Sequence, residues 1–370
     1  MKGAAWACGL ACSVAVASAS AATGTSRAER EETYQKLAIF ARVLNHVQTT
    51  YADDTDPTEV VYSAIRGMIE ELDPRSTFLS PEEVASLRRE ARRQHFDLGF
   101  DWRRVDDAVV LTSVRPGSYA QRRGAVAGQR LIAIDGAEVP TESDEAVEDA
   151  LFRLDGDAKR LQLVTDTGRE ETVRLRFAEL RRPTVQARRS PDGIVQLQVS
   201  RFTEDTGVEL VRSLDAQGEV RGLVLDLRGN SGGVIEAAAR VADAWLSSGI
   251  IATTEARNRV GEKFVAHEHG TEPSYPMAVL VDGDTASAAE LVAAALHEAG
   301  RAVVVGAPTF GKGTVQTVIE LEDGSAIRLT VSRWFTPDHA TVEGVGVRPD
   351  VPRADPAAAL AAALDVARGR

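Results

Sequence analysis

Beyond residue 181 the chain alternates short, unbroken apolar runs with stretches of helical spacing, and this limits the possible folds more than any other feature. Gly222-Leu223-Val224-Leu225-Asp226-Leu227 reads as a strand, Asn230-Ser231-Gly232-Gly233 as a turn, and Val234 to Leu246 as a helix. The order repeats with a strand at Ala278 to Val281, a helix at Ala286 to Ala299 and a strand at Ala302 to Val305. A strand that is apolar at successive positions needs cover on both faces, which parallel strands joined by helices supply. The pattern predicts an α/β core over 181–370. Upstream, 95–180 carries shorter strand signals: Val109-Val110-Leu111, Arg130 to Ile134, the turn Asp135-Gly136, a short helix at Ala146 to Leu154, and a hairpin from Leu161 to Val164 and Thr172 to Phe177. Residues 30–93 have helical spacing, with Leu37, Phe40, Ala41, Leu44 and Val47 on one stripe and Val60, Ala64 and Met68 on another. Ser80-Pro81-Glu82-Glu83 marks a helix start, with Ser80 as N-cap and Glu83 three residues on. No repeat of 20 to 50 residues is present, which argues against a solenoid.

At 370 residues and 44% hydrophobic content the chain can bury a sizeable core in two or three domains. Its net charge of -12 argues against a nucleic-acid partner, whose phosphates require clustered cations. The local clusters Arg88, Arg89, Arg92, Arg93 and Arg181, Arg182, Arg188, Arg189 read as solvated surface. Lys2, the apolar stretch Ala4 to Ala17 and the small residues Ser20-Ala21-Ala22 form a secretory signal over residues 1–22, and the apolar stretch is too short to span a bilayer. The signal implies export to a periplasm or the exterior, or membrane association where it stays uncleaved. Both cysteines, Cys8 and Cys12, lie inside it, so the mature chain has neither disulfides nor a thiol nucleophile.

Three constellations bear on chemistry. His297 lies ten residues beyond Ser287 in the same helix, about 15 Å along its axis, too far to serve that serine; His267 and His269 lack a third ligand and read as surface residues. Gly306-Ala307-Pro308-Thr309-Phe310-Gly311-Lys312 fits the opening of a phosphate-binding loop. Gly313 then has no hydroxyl for a metal ion, and Thr314 to Ile319 is strand-like where that loop needs a helix, so nucleotide binding is disfavoured. Ser287, with Glu290 three residues on, has the spacing of a capping box, yet a helix N-terminus also suits a serine that must stabilise a developing oxyanion.

From Tyr34 almost to its end the chain resembles the carboxyl-terminal processing (tail-specific) peptidases. The segments that carry the likeness are Tyr62 to Met68, Leu72-Asp73-Pro74-Arg75-Ser76, Leu79 to Glu83, Asp226 to Gly233, Thr285-Ala286-Ser287-Ala288-Ala289-Glu290, Thr309-Phe310-Gly311-Lys312-Gly313-Thr314-Val315-Gln316, and Gly344 to Asp350. Ala289 stands where many relatives have Ser, and Ser231 where they have Gly or Pro; neither removes a catalytic atom. The resemblance implies a serine endopeptidase with a core of the ClpP/crotonase type, Ser287 as nucleophile, Lys312 as general base and Gln316 assisting the lysine. The N–H groups of Ala288 and Gly232 would form the oxyanion hole. Four residues of strand span roughly 13 Å, so Gln316 reaches Lys312 only through a kink or a bridging water.

The segment 95–180 resembles a PDZ domain, through Ser118 to Gly124 and Gly128 to Gly136. Leu98, Gly99 and Phe100 then form a carboxylate-binding loop, flanking a pocket without an obvious cation and receiving a tail that adds as a strand. The implied partners are proteins or peptides with free C-terminal tails, with no metal, nucleotide or nucleic acid; an adaptor protein and homo-oligomerisation stay open. The competing reading is a catalytically silent scaffold that binds such tails.

Overall fold

The computed structural model describes residues 27–153, 156–257, 261–268 and 274–370, so the secretory signal expected over 1–22 lies outside the described residues. The chain divides into two compact units, 1–65 and 66–370. In the first, the helix Arg27–Thr50 matches the expected spacing, but its apolar stripe stays open, with Leu37 55% and Phe40 44% exposed. No helix among the described residues is long and apolar enough to cross a membrane.

The second unit holds three sheets. A six-stranded sheet runs in the order Val351–Pro352, Val303–Gly306, Met277–Val281, Gly222–Asp226, Ile194–Val199 and Val185–Arg189, parallel throughout except at the last strand. Its central strands are buried along their whole length, as their unbroken apolar runs require. Leu223, Leu225, Val279 and Val281 join one core cluster with the helices Ile235–Asp243 and Ala288–Glu298. Their neighbours Val224, Ala278 and Leu280 join a second with the helix Pro356–Ala367. Alternate side chains therefore face opposite helical layers, leaving both ends of the sheet free for loops.

Five further strands form a mixed-partner sheet around Ala326–Phe335, which pairs antiparallel with Thr77–Leu79, Ile250–Ala256 and Thr314–Glu320. The third sheet spans Phe100–Val105 to Glu170–Arg176, is antiparallel, and carries the helix Asp144–Phe152. Its apolar core runs from Phe96 to Leu180 and is separate from those of the parallel sheet. The helix Pro81–His95 leads into it and starts on the expected capping box, Glu83 N–H donating to Ser80 Oγ at 3.3 Å and Ser80 N–H to Glu83 Oε2 at 2.7 Å.

Candidate active site

Strand Met277–Val281 leaves the parallel sheet through a turn that delivers Ser287 to the start of the helix Ala288–Glu298. Asp282 shapes the turn, its Oδ1 accepting from the N–H groups of Asp284 at 3.1 Å and Thr285 at 3.0 Å. Thr285 Oγ1 donates to Leu227 O at 2.9 Å and Ala286 N–H to Asn230 O at 2.9 Å, tying this turn to the one after the neighbouring strand. Ser287 itself has φ 56° and ψ -120°. A non-glycine residue held there carries local strain of about 1–3 kcal/mol, which persists only where the surroundings over-determine it.

The surroundings do so through Glu290. Its side chain is wholly buried, and its carboxylate accepts four hydrogen bonds: Ser287 N–H at 2.8 Å and Lys312 N–H at 2.8 Å on Oε2, Thr309 Oγ1–H at 2.5 Å and Gly311 N–H at 2.7 Å on Oε1. One carboxylate thus ties the Ser287 turn to the 309–312 loop. The serine–glutamate spacing does place Glu290 on the Ser287 N–H, as a capping box requires. Its other three donors come from a loop about twenty residues later, which a purely local reading misses. A signal was present: a single acid within Ala288-Ala289-Glu290-Leu291-Val292, on a buried helix, must have partners elsewhere.

Lys312 is held at both ends of its peptide unit, by Glu290 on its N–H and by Trp334 Nε1–H donating to its carbonyl at 3.0 Å. Gly311 has φ +84°, and a Cβ there would lie 2.9 Å from Val345 N, so only glycine lets the loop pass. The loop continues into the strand Thr314–Glu320, not a helix, which leaves no phosphate-binding helix N-terminus. Burial lowers the Lys312 pKa, the charges of Arg75 and Arg328 lower it further, and Glu343 opposes them. The net effect makes the ammonium easier to deprotonate than that of an ordinary lysine.

Ala288 is fully buried and opens the helix, where its N–H has no carbonyl a turn behind it. Gly232 packs against it, since a Cβ on Gly232 would lie 3.0 Å from Ala288 N and 2.9 Å from Ser287 Cβ. The role expected of Gly232 needs correction: its N–H donates to Asn230 Oδ1 at 2.8 Å and is not free to meet an oxyanion in this arrangement. What Gly232 supplies is the absence of a side chain beside Ser287. Gln316 also turns elsewhere, Nε2–H donating to Arg75 O at 2.6 Å, with a break in strand register between Val315 and Gln316. His297 Nε2 lies 2.9 Å from Asp350 Oδ1, and His267 Nδ1 3.0 Å from Asp243 Oδ2; His269 is outside the described residues.

In the antiparallel module, Leu98 and Phe100 are 5% and 4% exposed, members of its core that also line a cleft of about 300 Å³. Gly99 has φ +80°, and its N–H donates to Asp97 Oδ1 at 2.8 Å, so an internal carboxylate already occupies the centre of the loop. Arg115 pairs with that same oxygen and, at 3.0 Å, with Asp101. The expectation of a pocket without a cation is overturned, because Arg93, Arg103, Arg115 and Arg182 all line the cleft.

Residues 193–353 match the sequence pattern of peptidase family S41. The chain is 30% identical over 332 residues to a carboxy-terminal-processing protease of Bartonella bacilliformis, covering 87% of this chain and 76% of the relative. It is 32% identical over 338 residues to the carboxy-terminal processing protease CtpA of Bacillus subtilis, covering 90% and 70%. Among solved structures, the photosystem II D1 C-terminal processing protease is similar with 27% identity and a TM-score of 0.50, covering 86% of this chain and 92% of that one.

Proposed function

The chain belongs to peptidase family S41 and is a serine-type peptidase of the carboxy-terminal processing kind, and on that premise we propose that it cleaves unfolded or C-terminally tagged proteins by a Ser287–Lys312 dyad. The neutral amine of Lys312 takes the proton from Ser287 Oγ as that oxygen attacks the scissile carbonyl carbon. The carbonyl oxygen becomes an oxyanion, met by the Ala288 N–H at the positive end of its helix. Collapse breaks the C–N bond, the Lys312 ammonium returns its proton to the leaving amine, and water activated by the same amine hydrolyses the acyl-enzyme. Gln316 assists once it exchanges the Arg75 carbonyl for the lysine.

The observation that carries this reading is the buried Glu290 carboxylate, which bonds the backbone of both proposed partners. Cleavage of an unfolded test protein by wild type, Ser287→Ala and Lys312→Arg tests it. Both variants should be inactive, the second because guanidinium does not deprotonate in proteins. Activity in either defeats the dyad.

We further propose that the segment 95–180 is a PDZ-like domain inserted between the helical region 30–93 and a ClpP/crotonase-like core over 181–370, and that it captures the substrate tail. Six strands, one flanking helix and the Leu98-Gly99-Phe100 loop beside a cleft support this. An incoming tail carboxylate would displace Asp97 from Gly99 and meet Arg115. Amidating the tail should weaken binding, and equal handling of free and amidated peptides would withdraw tail capture. Export by the 1–22 signal belongs to the same proposal; N-terminal sequencing that found Met1 retained on a cytoplasmic protein would refute it.

A further inference from the structure

We propose that Arg75 is a positioning residue for Lys312, clasping the lysine loop from outside and setting a fixed positive charge beside the amine. The inference rests on the reading of Lys312 as base. Arg75 sits in a rigid turn: Asp73 Oδ1 accepts from the N–H groups of Arg75 and Ser76, each at 2.8 Å, and Asp73 Oδ2 from Ser76 Oγ at 2.8 Å. The next residues, Thr77–Leu79, pair antiparallel with Arg328, Ile327 and Ala326. The turn is therefore stitched to the long strand beside the one that follows Lys312.

From that anchor, Arg75 reaches the lysine loop at several points. Its guanidinium donates to Gly311 O at 3.2 Å, lies over the Phe310 ring at 4.9 Å, and pairs with Glu343 Oε1 at 3.3 Å. The other oxygen of Glu343 accepts from Gly313 N–H at 2.7 Å, so bracing Glu343 also braces the residue after the lysine. The carbonyl of Arg75 holds Gln316. Residues on both sides of Lys312 thus depend on one side chain, itself only 23% exposed.

The charges facing the amine are Arg75 from this turn, Arg328 from the neighbouring strand and Glu343 from the loop that covers it, while Glu290 lies beneath the lysine backbone. Arg75 acts on the amine in two ways, repelling a proton directly and pairing with Glu343, the anion that favours it. Partial burial keeps both effects from being fully screened.

The sign follows from a base that works only when neutral. Activity is lost as pH falls through the lowered pKa of Lys312, and removing Arg75 raises that pKa. The intact protein would be assayed by single-turnover acylation of a quenched peptide across pH, with melting temperature as a control for folding. Arg75→Gln should move the acid limb upward by about 0.5–1 pH unit. Its rate should fall about three- to ten-fold at neutral pH and recover in alkali. Arg75→Lys, which keeps the charge, should hold the limb near its wild-type position. Glu343→Gln, which leaves Arg75 in place, should move the limb to lower pH, and this arm stands even where Arg75→Gln does not fold.

A limb that stays put in Arg75→Gln or in Glu343→Gln, with rates reduced equally at every pH, would overturn the inference and leave Arg75 a structural brace. Activity in Lys312→Arg, measured alongside, would instead sink the dyad reading itself.

Discussion

The parallel-sheet core and the antiparallel module keep their polar groups in different places. In the core, Glu290, Asp226, Asn230 and Thr285 are fully buried, and each bonds to more than one other residue, joining the strands to the turns at their carboxyl ends. In the module, buried Lys159 pairs with Asp135 at 2.7 Å, and buried Gln129 donates to Glu171 at 3.0 Å and accepts from the Val126 N–H at 2.8 Å, contacts that stay within the module. Eight other charged residues line an open cleft, among them Asp97, Asp101, Arg103 and Arg115. A buried network leaves its members no alternative partners, so one change there should disturb both shape and chemistry. Cleft charges keep water as an alternative, so changes there should grade affinity and leave chemistry alone. On the function proposed above, the first region carries bond cleavage and the second substrate choice, and the contrast is what that division would require.

The sharpest way to break it begins at Ser287. Ser287→Ala should lower peptide-bond cleavage by about 10⁴-fold, because it removes the only atom that forms the acyl bond. Melting should be nearly unchanged, since the strained turn is held by backbone contacts and by Glu290 rather than by the hydroxyl. Glu290→Gln should come next. An amide can accept but must also point two N–H groups at a site lined with donors, which costs about 1–3 kcal/mol for a group left unsatisfied. Displacing serine and lysine relative to each other by about 1 Å should lower turnover about 10²-fold. A Glu290→Gln protein that melts and cleaves like wild type would remove the network from the mechanism.

Leu163→Ala makes the matching change in the module. Leu163 is fully buried in the module's own core, so truncation should destabilise it by about 2–5 kcal/mol. Hydrolysis of a short peptide lacking a recognisable tail should stay within a few-fold of wild type, while cleavage of a tailed protein falls further. Equal loss on both substrates would show that the two regions do not divide the work.

Much of the core was legible because burial on both faces leaves a direct trace in sequence: Gly222 to Leu227 and Ala278 to Val281 have almost no polar positions to disguise them. The turn carrying Ser287 was legible for a local reason, the helix start. The bonds joining it to Lys312 were not, because hydrogen bonds between distant loops leave no periodicity. Gly311 and Arg75 meet across 236 residues, and although Arg75 falls in a segment that carries the family likeness, nothing near it says which loop its side chain meets. Gln316 and Gly232 show another limit: residue type and position put them in the right neighbourhood, but which partner an amide chooses depends on geometry that only the fold decides. The apolar stripe of Arg27–Thr50 marks a helix correctly without saying whether anything covers it.

The smallest expected effect is the one that most sharpens the assignment of substrate choice to the module. Every acid lining the cleft has a cationic partner: Asp97 and Asp101 pair with Arg115, Glu148 with Arg93 and Asp144 with Arg104. Among the described residues Arg103, which also lines the cleft, forms no ion pair, while Arg182 acts on Asp101 through its charge without a hydrogen bond to it. The unpaired charge in the cleft is therefore positive, over a floor that includes Phe96, Trp102 and Phe152. A tail ending in an apolar residue should bind better with an acid just upstream of its end than with a lysine there. Solvent-exposed pairs contribute about 0.2–1 kcal/mol, so the preference should be about two- to five-fold and should fade in high salt. Arg103→Gln and Arg182→Gln should each reduce it without changing the acylation rate on a short peptide. Measured by titrating labelled tails into the intact protein, a preference for the basic tail, or an acidic preference insensitive to salt, would mean that these arginines face away from the bound chain. The cleft would then recognise tails by shape alone.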